Sequence, residues 1–312
     1  MKLFRDLPHS GHATKGVALT IGNFDGVHLG HQALLATTIQ AAKERGLIPA
    51  AMTFEPHPRE FFDPGTAPAR LSSLREKVEW LSAAGVEHLY VCRFNKFFAG
   101  QSPQEFIEVL QRRLQCRWLL VGDDFRFGAR RSGDVALLRS EGARRGFEVA
   151  TLDNIELDGL RISSTAVRDA LTAGDFALVR GLLGRPYAMS GHVLHGRKLG
   201  RTLGFPTANV SLARRKPALT GVFAVKCSGI HARGLEGVAT GVANLGTNPA
   251  VKSDGRHSLE VFLFDFSADL YGNRISVEFC AKLRDEAHYA SLDALTLQIQ
   301  RDCDAAREFF RD

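Results

Sequence analysis

A parallel α/β layer followed by a small antiparallel β-barrel is the architecture this sequence predicts, and three observations carry the prediction. Apolar, β-branched runs alternate with helical stretches through the first part of the chain. Beyond residue 186 they give way to short strands separated by glycine-rich turns, and a helical stretch closes the sequence. Strand alternating with helix implies a parallel sheet covered on both faces, whereas many short strands with glycine turns imply a closed antiparallel sheet.

The elements follow in order. Residues 17–21, VALTI, form a buried strand, and GNFDG (22–26) turns into a helix that runs to about residue 45. Further strands are expected at 48–54, 88–92, 118–121 and 147–152. Between them the helix starts are legible. Ser73 and Glu76 bracket a capping box ahead of KVEWL, and Ser102, Pro103 and Glu105 supply an N-cap, a proline at the first helical position and the third-position acid. After a helical stretch at 175–183, GRP (184–186) marks the boundary, because the residue before a proline is steered away from helical geometry. The expected domains are therefore residues 1–184 and 185–312. In the second, strands are expected at 187–194, 221–227, 239–244, 259–266 and 275–282, with a helix over 291–311.

Composition bounds what such a chain does. With 312 residues it has room for about two domains on a prior of ~150 residues each. Its 45% hydrophobic and 24% charged content is that of an ordinary globular protein and excludes disorder. The start, MKLFRDLPHSGHATKG, has no apolar targeting core, and no segment reaches the length of uninterrupted apolar residues a membrane span needs, so a cytoplasmic protein is expected. Cys92, Cys116, Cys227, Cys280 and Cys303 are scattered without a CxxC pair, which points to idle thiols rather than a disulfide framework or a zinc site. A net charge of +6 and a pI near 9.2 favour an anionic partner without choosing among nucleic acid, an acidic surface and a phosphorylated small molecule. Runs such as RFGARR (126–131) and ARRK (213–216) read as solvated surface by default.

The pair His28 and His31 in GNFDGVHLGH (22–31) admits three readings: helix-capping residues, a metal pair on one helix face, and phosphate donors. Two imidazoles without a third ligand nearby make a poor zinc site. Gly22, Gly26 and Gly30 would let a polyphosphate approach the backbone, where the helix N-terminus offers free N–H groups and positive dipole, and this context favours the third reading.

GNFDGVHLGH resembles the glycine-rich HxGH signature of the nucleotidyltransferase superfamily, and ISSTAVRDAL (162–171) is similar to the ISSTxxR pattern of its small adenylyl and cytidylyl transferases. Ser163 or Ser164 would also cap a short helix. The resemblance implies a Rossmann-like domain in which His28, His31 and Arg168 act on the phosphates. It places ATP against Gly22, Asn23, Phe24, Asp25, Gly26, Gly30, Ser163, Ser164 and Thr165. TFEPHPREFF (53–62) and VGDDFRFG (121–128) look like the flavin elements of bacterial FMN adenylyltransferases, which implies flavin contacts at Pro56, His57, Asp124, Phe125 and Phe127.

HGRKLGRTLGFPTANV (195–210) is glycine-rich and basic, yet it is not a P-loop and does not lead from a strand into a helix. GRTLGFPTAN within it resembles the signature of riboflavin kinases. That likeness implies ATP at Gly200, Gly204, Thr207 and Asn209, with Mg2+ at Thr207 and Asn209. Glu260 in LEVFLFDF, by spacing alone an outward-facing strand residue, is by the same resemblance the base for the flavin's ribityl hydroxyl. Phe262 stands where many relatives carry a histidine. GVANLGTNPAV (241–251), ADLYG (268–272) and KLRDEAHYASLDAL (282–295) extend the likeness toward the C-terminus.

The chain is thus similar, nearly end to end, to the bacterial bifunctional riboflavin kinase and FMN adenylyltransferase family, also called FAD synthetases. The implied partners are riboflavin, FMN and ATP, with FMN and FAD as products, no nucleic acid and no membrane, and room for a weak homo-oligomer. A flavin or nucleotide sensor on the same scaffold is the main rival, and intact motifs at both sites argue against it.

Overall fold

The computed structural model describes residues 1–8, 13, 15–196, 200, 203–213, 216–230, 237–247 and 257–311. Arg197, Lys198, Leu199, Arg201 and Thr202 of the expected kinase loop, Arg214 and Arg215 of the basic run, and the end of GVANLGTNPAV lie outside the described residues. The chain divides into two compact units, residues 1–68 with 74–163, and residues 69–73 with 164–312.

The first unit contains β1 (Lys2–Arg5), β2 (Val17–Ile21), α1 (Leu29–Arg45), β3 (Ile48–Glu55), α2 (Pro58–Phe62), α3 (Leu74–Ala83), β4 (His88–Arg93), α4 (Lys96–Ala99), α5 (Pro103–Glu108), β5 (Cys116–Gly122), α6 (Val135–Arg145), β6 (Glu148–Leu152) and the small hairpin β7 (Glu156–Leu157) and β8 (Leu160–Arg161). Six parallel strands run in the order β1-β4-β3-β2-β5-β6. Every residue of β2 is buried, as a central strand covered on both faces requires. Alternate strand residues feed opposite layers. Met52, Tyr90 and Leu119 pack with Phe106, Ile107 and Leu138 on one face, and Ala51, Leu89 and Val91 pack with Leu35 and Leu81 on the other. The Ser102 capping box is formed, with Glu105 N–H donating to Ser102 Oγ at 3.2 Å and Ser102 N–H donating to Glu105 Oε2 at 2.7 Å. The strand β1 was not expected. It is a four-residue edge strand in which only Leu3 and Phe4 are apolar, too short to show a period, and its pairing with β4 is what makes it a strand.

In the second unit α7 (Ser164–Ala173) and α8 (Phe176–Leu183) precede β9 (Ala188–Leu194), β10 (Ala208–Val210), β11 (Gly221–Ile230), β12 (Val238–Thr247), β13 (His257–Leu263), β14 (Arg274–Arg284) and α9 (Leu292–Phe309). The strands close into an antiparallel barrel in the order β10-β13-β12-β11-β14-β9. Leu259, Val261, Ala243, Leu245, Phe223, Val225 and Val277 are fully buried and alternate with residues of the outer face. On that outer face Val222, Ala224 and Val242 join Phe262 under Ile299, Cys303, Ala306 and Phe310, the last four at helical spacing along the C-terminal segment. The expected strand at 259–266 ends earlier, at Leu263, and Asp265 takes a left-handed φ of 51°. The sixth strand, β10, was not expected, since three residues behind a proline carry no readable alternation.

All five cysteines are free. Burial pushes the thiols of Cys116 and Cys227 up to about 12, which keeps them protonated and unreactive.

The helix α9 is tied to β14 by Arg284, whose Nε and terminal nitrogen both donate to the Asp302 carboxylate, the shortest bond at 2.7 Å, while Gln298 Nε2 donates to the same carboxylate at 2.9 Å. Asp302 is 5% exposed. Removing one partner of such a pair costs on the order of 3 kcal/mol, because the other charge is left without its counter-ion. We therefore expect Asp302→Ala to lower amide hydrogen-exchange protection in α9 by on the order of 100-fold while leaving β2 unchanged. Unchanged protection in α9 would remove the ion pair from the account of its anchoring.

Two candidate active sites

The sheet of the first unit places one site. Its chain order reverses at β2, which pairs with β3 on one side and β5 on the other, and ligands of such sheets bind beyond the carboxyl ends at this switch point. The segment 22–28 leaves β2 there and enters α1. His28 is the N-cap of α1, and its Nδ1 accepts from the His31 backbone N–H at 3.3 Å. An accepting Nδ1 carries no proton, so the neutral ring holds its proton on Nε2. The two imidazoles stack with centroids 3.7 Å apart. A Cβ at position 30 would crowd the His28 ring at 3.2 Å and touch the Ile162 carbonyl oxygen at 3.5 Å. The same closeness brings the entry to the ISST segment against the start of α1.

Beneath this loop Phe24, fully buried, packs with Val27 and Leu35, and its ring lies 5.1 Å from that of His31. Phe24 therefore supports the loop through its side chain and can offer a ligand only its backbone. Phe24 and Val27 take φ values of 48° and 42°, sparsely populated for such residues and held here by the packing below. Lys77, fully buried, donates to Thr53 Oγ1 at 3.2 Å, and Thr53 Oγ1 donates to the Asn23 carbonyl at 3.1 Å. Burial, with the neighbouring His28 and Lys77, holds the His31 pKa well below the usual histidine value, so the ring is neutral at pH 7. Its Nδ1 is buried without a hydrogen-bond partner among the described residues, the state expected of a donor or acceptor reserved for a bound group.

Beside the loop opens a cavity of about 690 Å3 that runs from Gly22 and Asn23 past Phe54, Phe94, Phe98 and Phe106 to Phe125 and Phe127. Its size and aromatic lining suit a flat, largely apolar ring system. Of the residues named from the sequence, His57, Asp124, Phe125 and Phe127 line it, and His57 also caps α2. Phe127 is 6% exposed and belongs largely to the core, so Phe125, half-buried, offers the more accessible ring. Pro56 is exposed, follows a cis bond from Glu55, and is not among the lining residues. Asp124 pairs with Arg161 at 2.9 Å. Arg126, Arg130 and Arg131 line the cavity too, although their run reads from the sequence as plain surface.

Ser164, Thr165 and Arg168 lie in α7 of the second unit, which starts directly after Ser163. There Arg168 Nε donates to the Ala69 carbonyl at 2.6 Å.

In the barrel, strand register builds the second site. Glu260 lies directly across from Asn209 on β10 and from Asn244 on β12, on the outer face and half-buried. A Cβ at position 196 would collide with the Asn209 carboxamide, so any other residue there would displace that side chain. The described part of the glycine-rich loop turns at Gly200, whose carbonyl accepts from Phe205 N–H at 2.8 Å, and Gly204 adopts a φ of 87°. Phe205 then packs edge-on against Phe262, with centroids 5.4 Å apart. Phe262 thus packs against the segment that leads to Thr207 and Asn209. A cavity of about 710 Å3 at one mouth of the barrel is lined by His195, Thr207, Val261, Leu263, Asp269 and Tyr271.

Two residues escaped sequence reasoning although a signal existed. Lys77 shares the inward face of α3 with Leu74, Val78 and Leu81, a place where lysine is conspicuous. Asn244 sits mid-strand, where asparagine is disfavoured.

The FAD synthetase family matches residues 10–166 and the riboflavin kinase family residues 183–310. The bifunctional riboflavin kinase/FMN adenylyltransferase of Escherichia coli (strain K12) is 47% identical over 312 residues, covering 99% of this chain and 98% of that one, and its Haemophilus influenzae counterpart is 45% identical over 99% of each. A crystal structure described as a macrolide-efflux protein from Streptococcus pneumoniae has a TM-score of 0.78 at 29% identity and covers 98% of both chains. No helix among the described residues is long and apolar enough to cross a membrane. A loop-and-helix site on a parallel sheet followed by a strand-register site on a barrel is the order in which the two matched families fall along the sequence, and the chain belongs to the family of bifunctional riboflavin kinase/FMN adenylyltransferases.

Proposed function

We propose that the chain phosphorylates riboflavin with ATP to give FMN at the barrel, and joins FMN to the adenylyl group of a second ATP at the parallel sheet to give FAD and pyrophosphate. The observation that carries this reading is the pairing, in one chain of this family, of an aromatic cavity beside a histidine-capped helix start with a glutamate set between two asparagines. We assign residues 1–184 to adenylylation and 185–312 to phosphorylation. The cytoplasm is the proposed location.

At the barrel Glu260 accepts the proton of the ribityl 5′-hydroxyl as its oxygen bonds to the γ-phosphorus, and ADP departs with the electrons of the broken P–O bond. Asn209 offers a carboxamide oxygen directly across from Glu260, and Thr207 a hydroxyl two residues earlier in the chain. Hard oxygen donors of this kind suit Mg2+, whose shell substrate phosphates and water complete. Thr207 and Asn209 would hold the ion, which supplies charge neutralisation on the phosphates when bound. The barrel-mouth cavity that includes Thr207 takes the nucleotide.

At the sheet the nucleophile is the FMN phosphate, already anionic, so no general base is needed. It attacks the α-phosphorus of ATP and pyrophosphate leaves. His28 donates from Nε2, the N–H groups at the start of α1 face the phosphates, and neutral His31 adds a hydrogen bond. By resemblance Ser163, Ser164, Thr165 and Arg168 are phosphate-contacting residues, and the flavin ring lies against Phe125.

Incubation with riboflavin, ATP and Mg2+, followed by chromatography, is expected to show FMN rising and then giving way to FAD. Glu260→Ala should cut FMN formation by on the order of 100-fold or more while supplied FMN is still adenylylated. His31→Ala should do the reverse, by a similar factor. Loss of both activities from either change in a folded protein would overturn the division of labour.

The depressed His31 pKa sets a pH dependence of stability. Unfolded, this histidine takes up a proton near pH 6.5, whereas the folded protein resists it until well below that value, so between the two the unfolded chain binds more protons. Stability of the first unit is therefore expected to fall as pH drops below about 6.5, and His31→Gln to flatten that fall. Urea midpoints for β2 and α1 at a series of pH values check it, and parallel curves for the two proteins would contradict the assignment.

A further inference from the structure

Asn244 is the one member of the barrel's polar row to which no role has been assigned. It faces Glu260 across the β12–β13 ladder as Asn209 does across β10–β13. Residues directly opposite in antiparallel strands share a face, with Cβ atoms roughly 4.5–5.5 Å apart. The face is the outer one, because Ala243, Leu245, Leu259 and Val261 are fully buried inside the barrel. On its other side Asn244 faces Val222, which is buried in the apolar cluster with Phe262. Folding does not call for a carboxamide here. Asparagine is poorly suited to the middle of a strand, Asn244 is exposed, and its side chain makes no hydrogen bond among the described residues. What the position offers is a donor and an acceptor beside the proton-accepting carboxylate, at the margin of an apolar surface.

A ribityl chain presents hydroxyls that both donate and accept, and a carboxamide matches them on both counts. We propose that Asn244 hydrogen-bonds the ribityl hydroxyl next to the one Glu260 deprotonates, and so reads the polyol and holds its terminal oxygen in line. Asn209 and Thr207 then serve the nucleotide side of Glu260 while Asn244 serves the flavin side. The inference rests on riboflavin phosphorylation at the barrel, which wild-type turnover of riboflavin tests separately.

The experiment compares kcat/KM for riboflavin and for 4′-deoxyriboflavin, which lacks that neighbouring hydroxyl, in wild type and Asn244→Val. The valine suits a strand, and adenylylation of supplied FMN reports that the chain is intact. Wild type should lose on the order of tenfold or more when the hydroxyl is removed, and Asn244→Val should lose a similar factor on riboflavin. The variant should show almost no further loss on the deoxy substrate, because both changes delete one bond. Multiplying losses, or an Asn244→Val enzyme unimpaired on riboflavin, would overturn the proposal. Asn244→Ser, which keeps a small hydroxyl at the position, repeats the comparison should the valine protein fail to fold. Absence of wild-type riboflavin phosphorylation would instead refute the reading beneath it.

Discussion

The hydrogen bond from the His31 amide to His28 Nδ1 is the constraint on which the first site depends. It ends the loop from β2 and begins α1 at one residue, and it uses up the ring nitrogen that would otherwise choose between two tautomers. The proton of the neutral His28 ring is thereby placed on Nε2, at a helix start whose first backbone N–H groups have no partner within the helix. The group that satisfies the helix end is thus also the group whose ring orientation that bond fixes.

That arrangement is held from below. Phe24 fills the core under the loop, and Lys77 reaches through Thr53 to the Asn23 carbonyl. Burial keeps His31 neutral in the free protein, and the neighbouring His28 and Lys77 add to the cost of a charge there.

The barrel solves a different problem, that of placing a carboxylate with almost no loop involvement. Closure fixes register, and register puts Glu260 between two asparagines whatever the side chains prefer. The loop is then seated by packing, with Phe205 against Phe262, which acts as a hydrophobic clasp.

Much of the framework was legible in the sequence because its signals are local. The apolar, β-branched VALTI, the Ser102 box and the GRP break each report on a few neighbouring residues, and the elements formed where they pointed. The strands β1 and β10 were not legible, since three or four residues carry no period and exist as strands only through their partners. Motif residues could be named, but their surroundings could not. That Phe24 is core, that Arg130 and Arg131 line a cavity and that Asn244 faces Glu260 are consequences of chain crossing and strand pairing. Local pattern was enough for the fold class, the longer elements and the chemical kinds of residue in each motif. The tertiary structure alone decided which of those residues meet, because sheet register and helix packing couple positions too far apart along the chain for any local pattern to record.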